Sequence, residues 1–399
     1  MTETERRVSA VERIREWQDE LTAWRRDFHA HPELGFEEVR TSALVAERLA
    51  AWGIEVHRGI GGTGVVGVLR NGNGQGRIGL RADMDALPMP EANDFAHCST
   101  IEGKMHGCGH DGHTTILLAA ARYLAETKNF DGTVHFIFQP AEEGRGGAQA
   151  MLADGLFDRF PCDAVFGLHN RPGLPVGQFA IRPGPVMAGA LFFDIVVQGR
   201  GGHGARPESS VDPVIVGVQI VSALQTIVSR NVAALDSAVI SVTGFTAGDA
   251  YNVIPDRVAM KGTVRAFSVE TMRMVEERMK AVAQSIAAGF GATAEVTFRE
   301  IAAPTINTPE EAVAMGDAAV ALVGEAHVER NRSPVMGSED FAYMLLEKPG
   351  AYIHVGNGVG DAGGCEVHNV HYDFNDAAIP YGGGMLATLV EQKMPRVEG

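Results

Sequence analysis

One short stretch of the sequence, residues 106 to 113, has an unusual density of groups that bind metal ions. It reads HGCGHDGH and places one thiol, three imidazoles and one carboxyl group among three glycines. Glycine lets the backbone adopt angles closed to other residues and run close to a ligand, so such a loop can fold its donors around an ion. If the loop is locally extended, Cys108 and His110 lie on the same side of it. A metal ion takes about four ligands or more, so the others must come from elsewhere in the chain.

Three other segments place metal-binding side chains where predicted strands end. Glu142 and Glu143 follow the strand pattern TVHFIF, His169 ends the pattern DAVFGLH, and a later loop runs from His368 to His371. Neighbouring glutamates in an extended loop point in opposite directions, so one can bind metal while the other faces a substrate. Taken alone, an acidic pair is usually solvated, a histidine at a strand end is usually structural, and a single cysteine usually packs in a core. Their joint occurrence favours a metal site.

Several further groups either support this site or only cap loops. Asp83 and Asp85 lie in the segment RADMDALPM, and His106, Asp111 and His113 flank the two donors of the glycine-rich loop. Carboxylates that orient metal-binding histidines occupy such neighbouring positions in metalloproteins. The remaining cysteines are assigned to packing: Cys98, Cys162 and Cys365.

The donors need a scaffold that brings strand ends together, and the hydrophobic pattern predicts one. Helices are predicted at about residues 11–28 and 37–52, and from residue 113 onward. Strands are predicted at residues 54–57, 64–69, 77–82 and 133–138. The glycine-rich NGNGQG between the second and third of these strands reads as a hairpin turn. Strands that alternate with helices describe an α/β domain whose site lies along the carboxyl edge of its sheet.

The pattern changes near Gly184, and the stretch that follows has the element order βαββαβ. That order is the split pattern of a ferredoxin-like domain. After Pro304 the first pattern resumes, with a helix predicted from Pro309 to Val323. We therefore predict a catalytic domain in two parts, residues 1–185 and 304–399, interrupted by an inserted domain at residues 186–303.

Composition and charge argue against several classes of protein. A chain of 399 residues with 45% hydrophobic and 21% charged residues is typical of a two-domain globular protein. The formal net charge of -16 argues against nucleic acid as a partner, because phosphate binding depends on Lys and Arg. No run approaches the roughly 18 apolar residues of a membrane-spanning helix, and the N-terminal MTETERRVSAVERIREWQ lacks the apolar core of a secretory signal. Four irregularly spaced cysteines fit a reducing compartment, so we expect a cytoplasmic protein with no membrane partner.

A set of longer motifs runs in order through nearly the whole chain. They are RRDFHAHPELGFEE, RADMDALPM, HGCGHDGH, QPAEEG, GLHN, GGHGARPE, YNVIPD, GTVRAF, MGSEDFAYM and HYDFND. In these motifs the chain resembles the metal-dependent amidohydrolases of the hippurate hydrolase and indole-acetyl-amino acid hydrolase type, which are relatives of the aminoacylase and glutamate carboxypeptidase group. Several long motifs in register are far more specific than any single short pattern.

The resemblance implies a two-domain α/β fold, with a metallopeptidase-like catalytic domain and an inserted ferredoxin-like domain that serves as lid and dimerisation domain. It implies two divalent metal ions, with Glu142 as general base and Asp85 as the aspartate that supports the metal region. The metal ligands that it implies are Cys108, His110, Glu143, His169 and His371. Asp83 occupies the place of a histidine ligand found in other branches. Manganese and zinc are both expected, with cobalt or nickel as further candidates, because thiolate and imidazole suit zinc while carboxylates also suit manganese.

The inserted domain carries further positions of the resemblance. His203, Asn252 and Arg265 match residues that contact the substrate or its reacting carbonyl in relatives, and Gly337 of MGSEDFAYM is assigned to substrate binding with them. In relatives the histidine reaches into the site of a partner subunit, so a homodimer, or a dimer of such dimers, is expected through the inserted domain. Each of these side chains also has a plain interpretation as part of a surface turn.

The predicted reaction is hydrolysis of an N-acyl amino acid to a carboxylic acid and a free amino acid. A dipeptidase with the same chemistry is an alternative. A non-catalytic metal-loaded binding protein is another, although such a protein would not need Glu142. A zinc nucleobase deaminase is disfavoured because its H-x-E and P-C-x-x-C pattern is missing.

Overall fold

A computed structural model describes residues 9–396 and divides the chain into two compact units. Unit 1 takes in the chain up to Gly184, the segment Ile306–Ser333 and the chain from Tyr343 onward, and unit 2 takes in Pro185–Thr305 and Pro334–Ala342. The sequence pattern alone had assigned that last segment to the second part of the catalytic domain. Residues 1–8, which contribute to the expectation of no secretory signal, lie outside the described range.

The elements are numbered in chain order through both units. The helices are α1 (Ala10–Arg15), α2 (Gln18–Ala30), α3 (Val39–Ala51), α4 (His110–Thr127), α5 (Gly147–Ala153), α6 (Leu156–Arg159), α7 (Pro213–Arg230), α8 (Val269–Gly289), α9 (Pro309–Val323), α10 (Phe341–Glu347) and α11 (Ile379–Lys393). The strands are β1 (Glu55–Ile60), β2 (Gly64–Asn71), β3 (Arg77–Asp83), β4 (Gly132–Gln139), β5 (Ala164–Pro172), β6 (Phe179–Ala180), β7 (Gly184–Met187), β8 (Gly189–Gln198), β9 (Gly202–His203), β10 (Ala238–Thr246), β11 (Val253–Ile254), β12 (Arg257–Ala266), β13 (Thr293–Ala302), β14 (Thr305–Asn307), β15 (Val328–Glu329) and β16 (Gly350–Gly358).

Unit 1 is built on a mixed sheet with the strand order β1-β2-β4-β3-β5-β16-β6-β15. Its central strands β4, β3, β5 and β16 run parallel to one another, which brings their carboxyl ends to one edge. The prediction that NGNGQG closes a hairpin between β2 and β3 is wrong, because β4 lies between those two strands and pairs with both. The hairpin is instead formed by β1 and β2, which turn at Ile60 and Gly64.

Helix α4 is the central helix of unit 1 and is buried along most of its length. Its apolar run from Ile116 to Ala121 is fully buried, and it packs against β3, α11 and α2. Burial of a Leu or Ile side chain contributes roughly 1.5 to 3 kcal/mol, so this run fixes the helix firmly on the sheet. The first turn of α4 is thereby held at the carboxyl edge of β3.

Unit 2 has its own core and the element order β8, α7, β10, β12, α8, β13. The four strands form an antiparallel sheet in the order β10-β12-β8-β13. Val216 and Ile220 of α7 and Val275 and Met279 of α8 are buried with the inward residues of these strands. The inward residues alternate along β8 with exposed Phe192 and polar Asp194, as expected for a strand with one buried face.

Within residues 9–396, α7 is a helix whose length and composition would allow it to cross a membrane. Buried residues recur along it at helical spacing, at Val216, Ile220, Leu224 and Ile227. This one-sided burial is the pattern of a helix that packs on a sheet. All four cysteines are free thiols.

Candidate metal centre

The glycine-rich loop delivers its donors directly into the first turn of α4. Gly109 has a φ of 97°, a left-handed conformation that residues with a side chain rarely adopt. A Cβ atom at this position would lie 2.4 Å from the amide oxygen of Asn170 and 2.5 Å from the hydroxyl of Tyr372. Only glycine therefore fits between the two donors Cys108 and His110, and α4 begins at His110 immediately afterwards.

His110 and His169 are both held so that one ring nitrogen is free to bind a metal. Nδ1 of His110 lies 2.8 Å from the carbonyl oxygen of Asp85, and Nδ1 of His169 lies 2.7 Å from the carbonyl oxygen of Asn170. A carbonyl only accepts, so each Nδ1 carries a proton and each Nε2 is the ring atom left to bind a metal ion. Nε2 of His110 is buried and has no hydrogen-bond partner within the described chain.

The predicted donors converge around these two Nε2 atoms. Sγ of Cys108 lies 3.4 Å from Nε2 of His169, and donor atoms of Cys108, His110 and His169 all lie within 4.8 Å of one another. The same spacing holds for donor atoms of His110, Glu142 and Glu143. Four of the five predicted ligands and the predicted base are thus brought together.

The fifth predicted ligand, His371, is replaced in this cluster by His368. Nε2 of His368 lies 3.1 Å from Oε1 of Glu143, and Cys108, Glu143 and His368 form a further group of donors within 4.8 Å. His371 is exposed, and its backbone N–H donates to the side chain of Asn369. His368 has a φ of 61°, so the loop is irregular here and the alternation of side chains along a strand does not apply.

Asp85 organises the glutamate pair through the backbone. Its Oδ1 and Oδ2 atoms each accept a 3.0 Å hydrogen bond, from the N–H groups of Glu142 and Glu143 respectively. Its Oδ1 also lies 3.3 Å from Nδ1 of His110. One buried carboxylate therefore fixes the loop that carries both glutamates and contacts a histidine of the cluster.

A second set of buried polar residues surrounds His113 on α4. Asp83 is bound by Arg81 at 2.7 Å and by Nδ1 of His113 at 2.6 Å. The other ring nitrogen of His113 lies 2.7 Å from Oδ1 of Asn170, whose amide nitrogen donates to the hydroxyl of Tyr372 at 2.6 Å. His113 thus links β3 to the residue after His169 and holds the two sides of the cluster in register.

A third network lies behind Asp111, on the N-terminal helix α2. His29 binds Asp111 through Nδ1 at 2.8 Å and Glu91 through Nε2 at 3.1 Å. Buried Arg25 lies 3.5 Å from the Asp111 carboxylate and 2.7 Å from that of Asp373. These contacts tie the first turn of α4 to α2 and to the loop that follows His371.

The electrostatics of the cluster favour a cation. The pKa of His368 is raised to about 10, first by Cys108 and then by Glu143. Burial lowers the pKa of His110, but Asp83 and Asp85 outweigh it and hold that pKa well above its usual range. Burial raises the pKa of Cys108, and Glu143 raises it further. The carboxylates of Asp83, Asp85 and Glu143 therefore lie close together around the cluster. Their negative charge must be compensated there by a metal ion or by protons.

The residues present fit a binuclear metal site. Nε2 of His110 is a buried ring atom without a hydrogen-bond partner in the described chain, and a metal ion would satisfy it in place of a proton. Nε2 of His169 faces the Cys108 sulfur, so the two atoms could bind one ion together. The donor groups overlap, because Cys108 belongs both to the group with the two histidines and to the group with Glu143 and His368. Two overlapping sets of sulfur, nitrogen and oxygen donors would suit two divalent ions.

The four remaining predicted residues all lie in unit 2. His203 pairs with Val253 across the short β9–β11 ladder, and the carbonyl of Asn252 accepts from the N–H of Gly204 at 2.8 Å. His203 and Asn252 are therefore near neighbours. Gly337 lies beside β7, where its carbonyl accepts from the N–H of Ala188 at 3.0 Å.

Arg265 is half-buried near the end of β12 and forms no ion pair with an acidic residue of the described structure. Its guanidinium donates to the hydroxyl of Thr263 and to the carbonyl of Val264. Burial lowers its pKa. A partly desolvated guanidinium with no anionic partner is suited to bind an anion.

Sequence reasoning did not identify some residues that the structure places around the cluster. Asn170 follows His169 in the quoted motif GLHN, and Arg25 and His29 lie in RRDFHAHPELG, so each occurred in a motif without being given a role. Their roles depend on contacts between distant segments, which spacing along the chain does not reveal. The HNVHYDFND loop likewise offered two histidines, and only its folded path places His368 at Glu143.

Comparisons with known proteins agree with this geometry. The model of peptidase family M20/M25/M40 matches residues 79–392. The chain is 43% identical over 382 residues to a hippurate hydrolase of Campylobacter jejuni, covering 96% of this chain and 98% of that protein. It is 40% identical over 380 residues to the IAA-amino acid hydrolase ILR1-like 2 of Arabidopsis thaliana, covering 94% and 85%. The solved structure of YXEP from Bacillus subtilis, described as a dinuclear metal-binding peptidase of the M20 family, is similar with a TM-score of 0.83 and 35% identity, covering 94% of this chain and 98% of that one.

Proposed function

This chain belongs to peptidase family M20/M25/M40 and is a hydrolase of amide bonds, and from that premise we propose that it cleaves N-acyl amino acids with Glu142 as the general base. The observation that carries the proposal is the cluster in which Cys108, His110 and His169 lie within 4.8 Å of one another and Glu142 belongs to the adjoining donor group. The hippurate hydrolase and IAA-amino acid hydrolase among the relatives support an acyl or aroyl substrate.

The ligand set that we propose replaces His371 by His368. It consists of Cys108, His110, Glu143, His169 and His368. Bound there, two divalent ions would acidify a water molecule and polarise the amide carbonyl. The thiolate and three imidazoles favour zinc, while the carboxylate also permits manganese, cobalt or nickel.

Glu142 is placed to move protons. Its backbone is anchored on Asp85, and its carboxylate lies 4.0 Å from Nε2 of His110, at the edge of the donor set. Because its side chain is mostly buried, its carboxylate is held at one place rather than swinging in solvent. Glu142 accepts the proton of the attacking water and then passes it to the nitrogen of the departing amino acid.

Unit 2 supplies the residues that recognise the substrate in this proposal. Arg265, with no acidic partner of its own in the described structure, pairs with the free carboxylate of the amino acid in a bidentate contact that lysine could not copy. His203 donates a hydrogen bond to the oxyanion of the tetrahedral intermediate. Asn252 and Gly337 contact the bound substrate. Unit 2, with its βαββαβ order, acts as the ferredoxin-like lid and dimerisation domain that the resemblance implies.

The reaction is tested with metal-stripped protein that is reloaded with manganese or zinc and given N-benzoyl, N-acetyl, N-succinyl and N-indole-acetyl amino acids. Metal-dependent release of a free amino acid from at least one substrate is expected, and the pattern names the preferred acyl group. If no substrate of the panel releases an amino acid although two metals are bound per chain, the dipeptidase alternative would replace this proposal. Dipeptides with a free N-terminus therefore form the second panel.

The role of Glu142 has a separate test. Glu142→Gln keeps the size of the side chain but cannot take up a proton, so kcat should fall by about 10² to 10⁴ while metal content stays at the wild-type value. Glu102→Gln, at an exposed loop position, is the matched control and should leave kcat unchanged. Near wild-type turnover by metal-loaded Glu142→Gln would remove Glu142 from the mechanism.

A further inference from the structure

A cavity of unit 1 lies at the opposite end of the sheet from the metal cluster. It has a volume of about 240 Å³ and is lined by side chains of β1, β2, β3 and β4 and by the segment after α6. Arg77 lies at the start of β3 and Asp83 at its end. At about 3.3 Å per residue the two are about 20 Å apart, so this cavity is separate from the proposed active site.

The strand register places a row of basic residues on one face of the sheet. Arg70 of β2 and Arg77 of β3 both pair with Thr133 of β4, so the two arginines flank one residue of the strand between them. Two residues further along β4, His135 points to the same face, because side chains alternate along a strand. Arg159 at the end of α6 lines the cavity from the other side.

Most of this positive charge is not neutralised. Arg77 pairs with Asp163 at 2.8 Å, and the one acidic residue that lines the cavity, Glu55, pairs with His57 at 2.9 Å. Arg70 and Arg159 have no carboxylate partner among residues 9–396, and Arg159 instead lies over the ring of Phe160 at 5.3 Å. In a chain with a formal net charge of -16, such a group of unpaired arginines is a local exception.

His135 contributes a buried polar side chain to the lining of the cavity. His135 is only 3% exposed, and neither of its ring nitrogens has a hydrogen-bond partner of good geometry within the described chain. Burial is the main reason that its pKa is lowered to about 4, and the positive charges of Arg70, Arg77 and His57 lower that pKa further. The backbone carbonyl of Pro161 has the opposite effect and raises the pKa. A buried imidazole whose ring nitrogens lack well-formed hydrogen bonds is costly unless a ligand or water satisfies them.

The remaining walls are apolar. Val68 and Pro161 line the cavity, and the ring of Phe160 lies 4.9 Å from that of His57 and 5.9 Å from that of His135. We propose that this cavity binds a small organic anion, with a carboxylate or phosphate group held by Arg70, Arg159 and the His135 ring, and a short apolar part against Phe160. Guanidinium groups are the usual partners of both oxyanions because they offer paired donors to paired oxygens.

The test uses the metal-loaded full-length chain and four probes: inorganic phosphate, phenyl phosphate, benzoate and succinate. Binding is followed by calorimetry and by the NMR signal of the His135 ring, which is identified by its loss in His135→Gln. At least one probe should bind with millimolar affinity or better and shift that signal. A response to the phosphates alone, or to the carboxylates alone, identifies the oxyanion that the site prefers.

Two variants separate this cavity from the metal cluster, which also attracts anions. Arg70→Gln combined with Arg159→Gln changes exposed side chains only, and it should weaken the binding that shifts His135 by about tenfold or more. Arg58→Gln, an exposed arginine of β1 next to His57 but on the other face of the strand, should change it by less than about twofold. The proposal is overturned if no probe shifts the His135 signal, or if the double variant binds as the wild type does.

Binding should also change the titration of His135. An anion at Arg70 and Arg159 offsets the positive field that Arg70, Arg77 and His57 exert on the ring, while Glu55 and Asp163 stay engaged with His57 and Arg77. The pKa of His135 should therefore move upward from about 4 when the bound probe is present. A pKa that stays the same in the saturated complex would mean that the probe binds elsewhere.

Discussion

Asp85 is the single residue on which most of the candidate site depends. It receives the backbone N–H groups of Glu142 and Glu143 at 3.0 Å each, and its own carbonyl holds His110 as the tautomer that leaves Nε2 free. Both bonds to the glutamates require acceptor oxygens, and an amide has only one. The residue therefore positions the proposed base and ligand, although it need not touch the substrate.

Asp85→Asn is accordingly expected to lose one of those two bonds and to lower kcat by about 10- to 100-fold. Because the carbonyl bond to His110 is kept, metal content should fall much less than kcat does. Steady-state kinetics and metal analysis of the same preparation check both statements. The exposed Asp94→Asn is the control, and an Asp85→Asn enzyme with wild-type kcat would show that the backbone bonds do not position Glu142.

His29 should make the stability of unit 1 depend on pH. Burial lowers its pKa, but Asp111 and Glu91 outweigh burial and raise that pKa from 6.5 to about 9. A group with a raised folded pKa contributes its full stability below the unfolded pKa and loses it as the pH rises through the folded one. The contribution should thus be largest below about pH 6.5 and disappear above about pH 9, with a magnitude on the order of 3 kcal/mol.

His29→Gln tests this through the difference in the free energy of unfolding from the wild type. Tryptophan fluorescence reports on unit 1 alone, because all three tryptophans, Trp17, Trp24 and Trp52, lie in it. The difference should be large at pH 6 and shrink toward pH 10. His327→Gln, at an exposed histidine of the same unit, should give a small difference throughout. A His29→Gln difference that is equal at both pH values would contradict the charged pair.

At the residue scale, the sequence was sufficient to predict which donor types meet but not every donor. Cys108, His110, Glu142, Glu143 and His169 lie within one loop or follow strands whose carboxyl ends share an edge, so their meeting followed from fold class alone. His368 could not be distinguished from His371 in this way, since the loop between them follows neither the strand nor the helix period. The φ of 61° at His368 is a property of the folded loop rather than of a local pattern.

At the scale of elements, the start of α4 depends on Gly109. The sequence predicted a helix from residue 113, whereas α4 begins at His110, because the histidines and glycine of its first turn do not show the apolar period. The wrong prediction of a hairpin between β2 and β3 has a related cause. A glycine-rich turn shows that the chain reverses or bends, but which strand then lies beside it is decided by long-range pairing with β4.

Gly109→Ala should therefore weaken metal binding through the backbone. The added Cβ would meet Asn170 at 2.4 Å and Tyr372 at 2.5 Å, and it would disfavour the left-handed φ of 97°. We expect zinc affinity, measured by competition with a chromophoric chelator, to fall by about 10- to 100-fold. Gly103→Ala is the matched control, because Gly103 also has a positive φ of 74° but has nothing within 4 Å of its added Cβ.

Gly103→Ala should cost about 1 to 2 kcal/mol of stability from the backbone alone and leave zinc affinity unchanged. If the two variants bind zinc equally well, the close approach at Gly109 has no role in shaping the site.

At the scale of the whole molecule, the two units contribute different groups to the proposed reaction. The metal donors and Glu142 come from unit 1, while His203, Asn252, Arg265 and Gly337 come from unit 2. The sequence predicted the change of pattern near Gly184 because the period of hydrophobic residues and the element order both change there. It could not predict that Pro334–Ala342 returns to unit 2, since that segment is short and its assignment depends on tertiary contacts.

The dimer that we propose has an exposed apolar patch of unit 2 as its candidate interface. Strand β10 is an edge strand of its sheet, and the neighbouring α7 exposes Ile215 and Val218, with Phe245 of β10 also exposed. The ring of Phe245 lies against Gly217 of α7, so these apolar side chains form one patch beside an edge strand. Edge strands with exposed apolar neighbours favour pairing with another chain, and a twofold axis would join two copies of this patch.

Val218→Glu should therefore convert a dimer of twice 42.5 kDa into a monomer in analytical ultracentrifugation, because it places a charge in an apolar contact. Val313→Glu is the matched control, since Val313 lies on α9 of unit 1 and is 50% exposed, against 51% for Val218. If His203 acts across the interface, as the resemblance implies, Val218→Glu should also lose activity at protein concentrations where it is monomeric, while Val313→Glu remains active. A wild-type chain that sediments as a monomer would exclude the interface, and a fully active Val218→Glu monomer would assign His203 to the site of its own subunit.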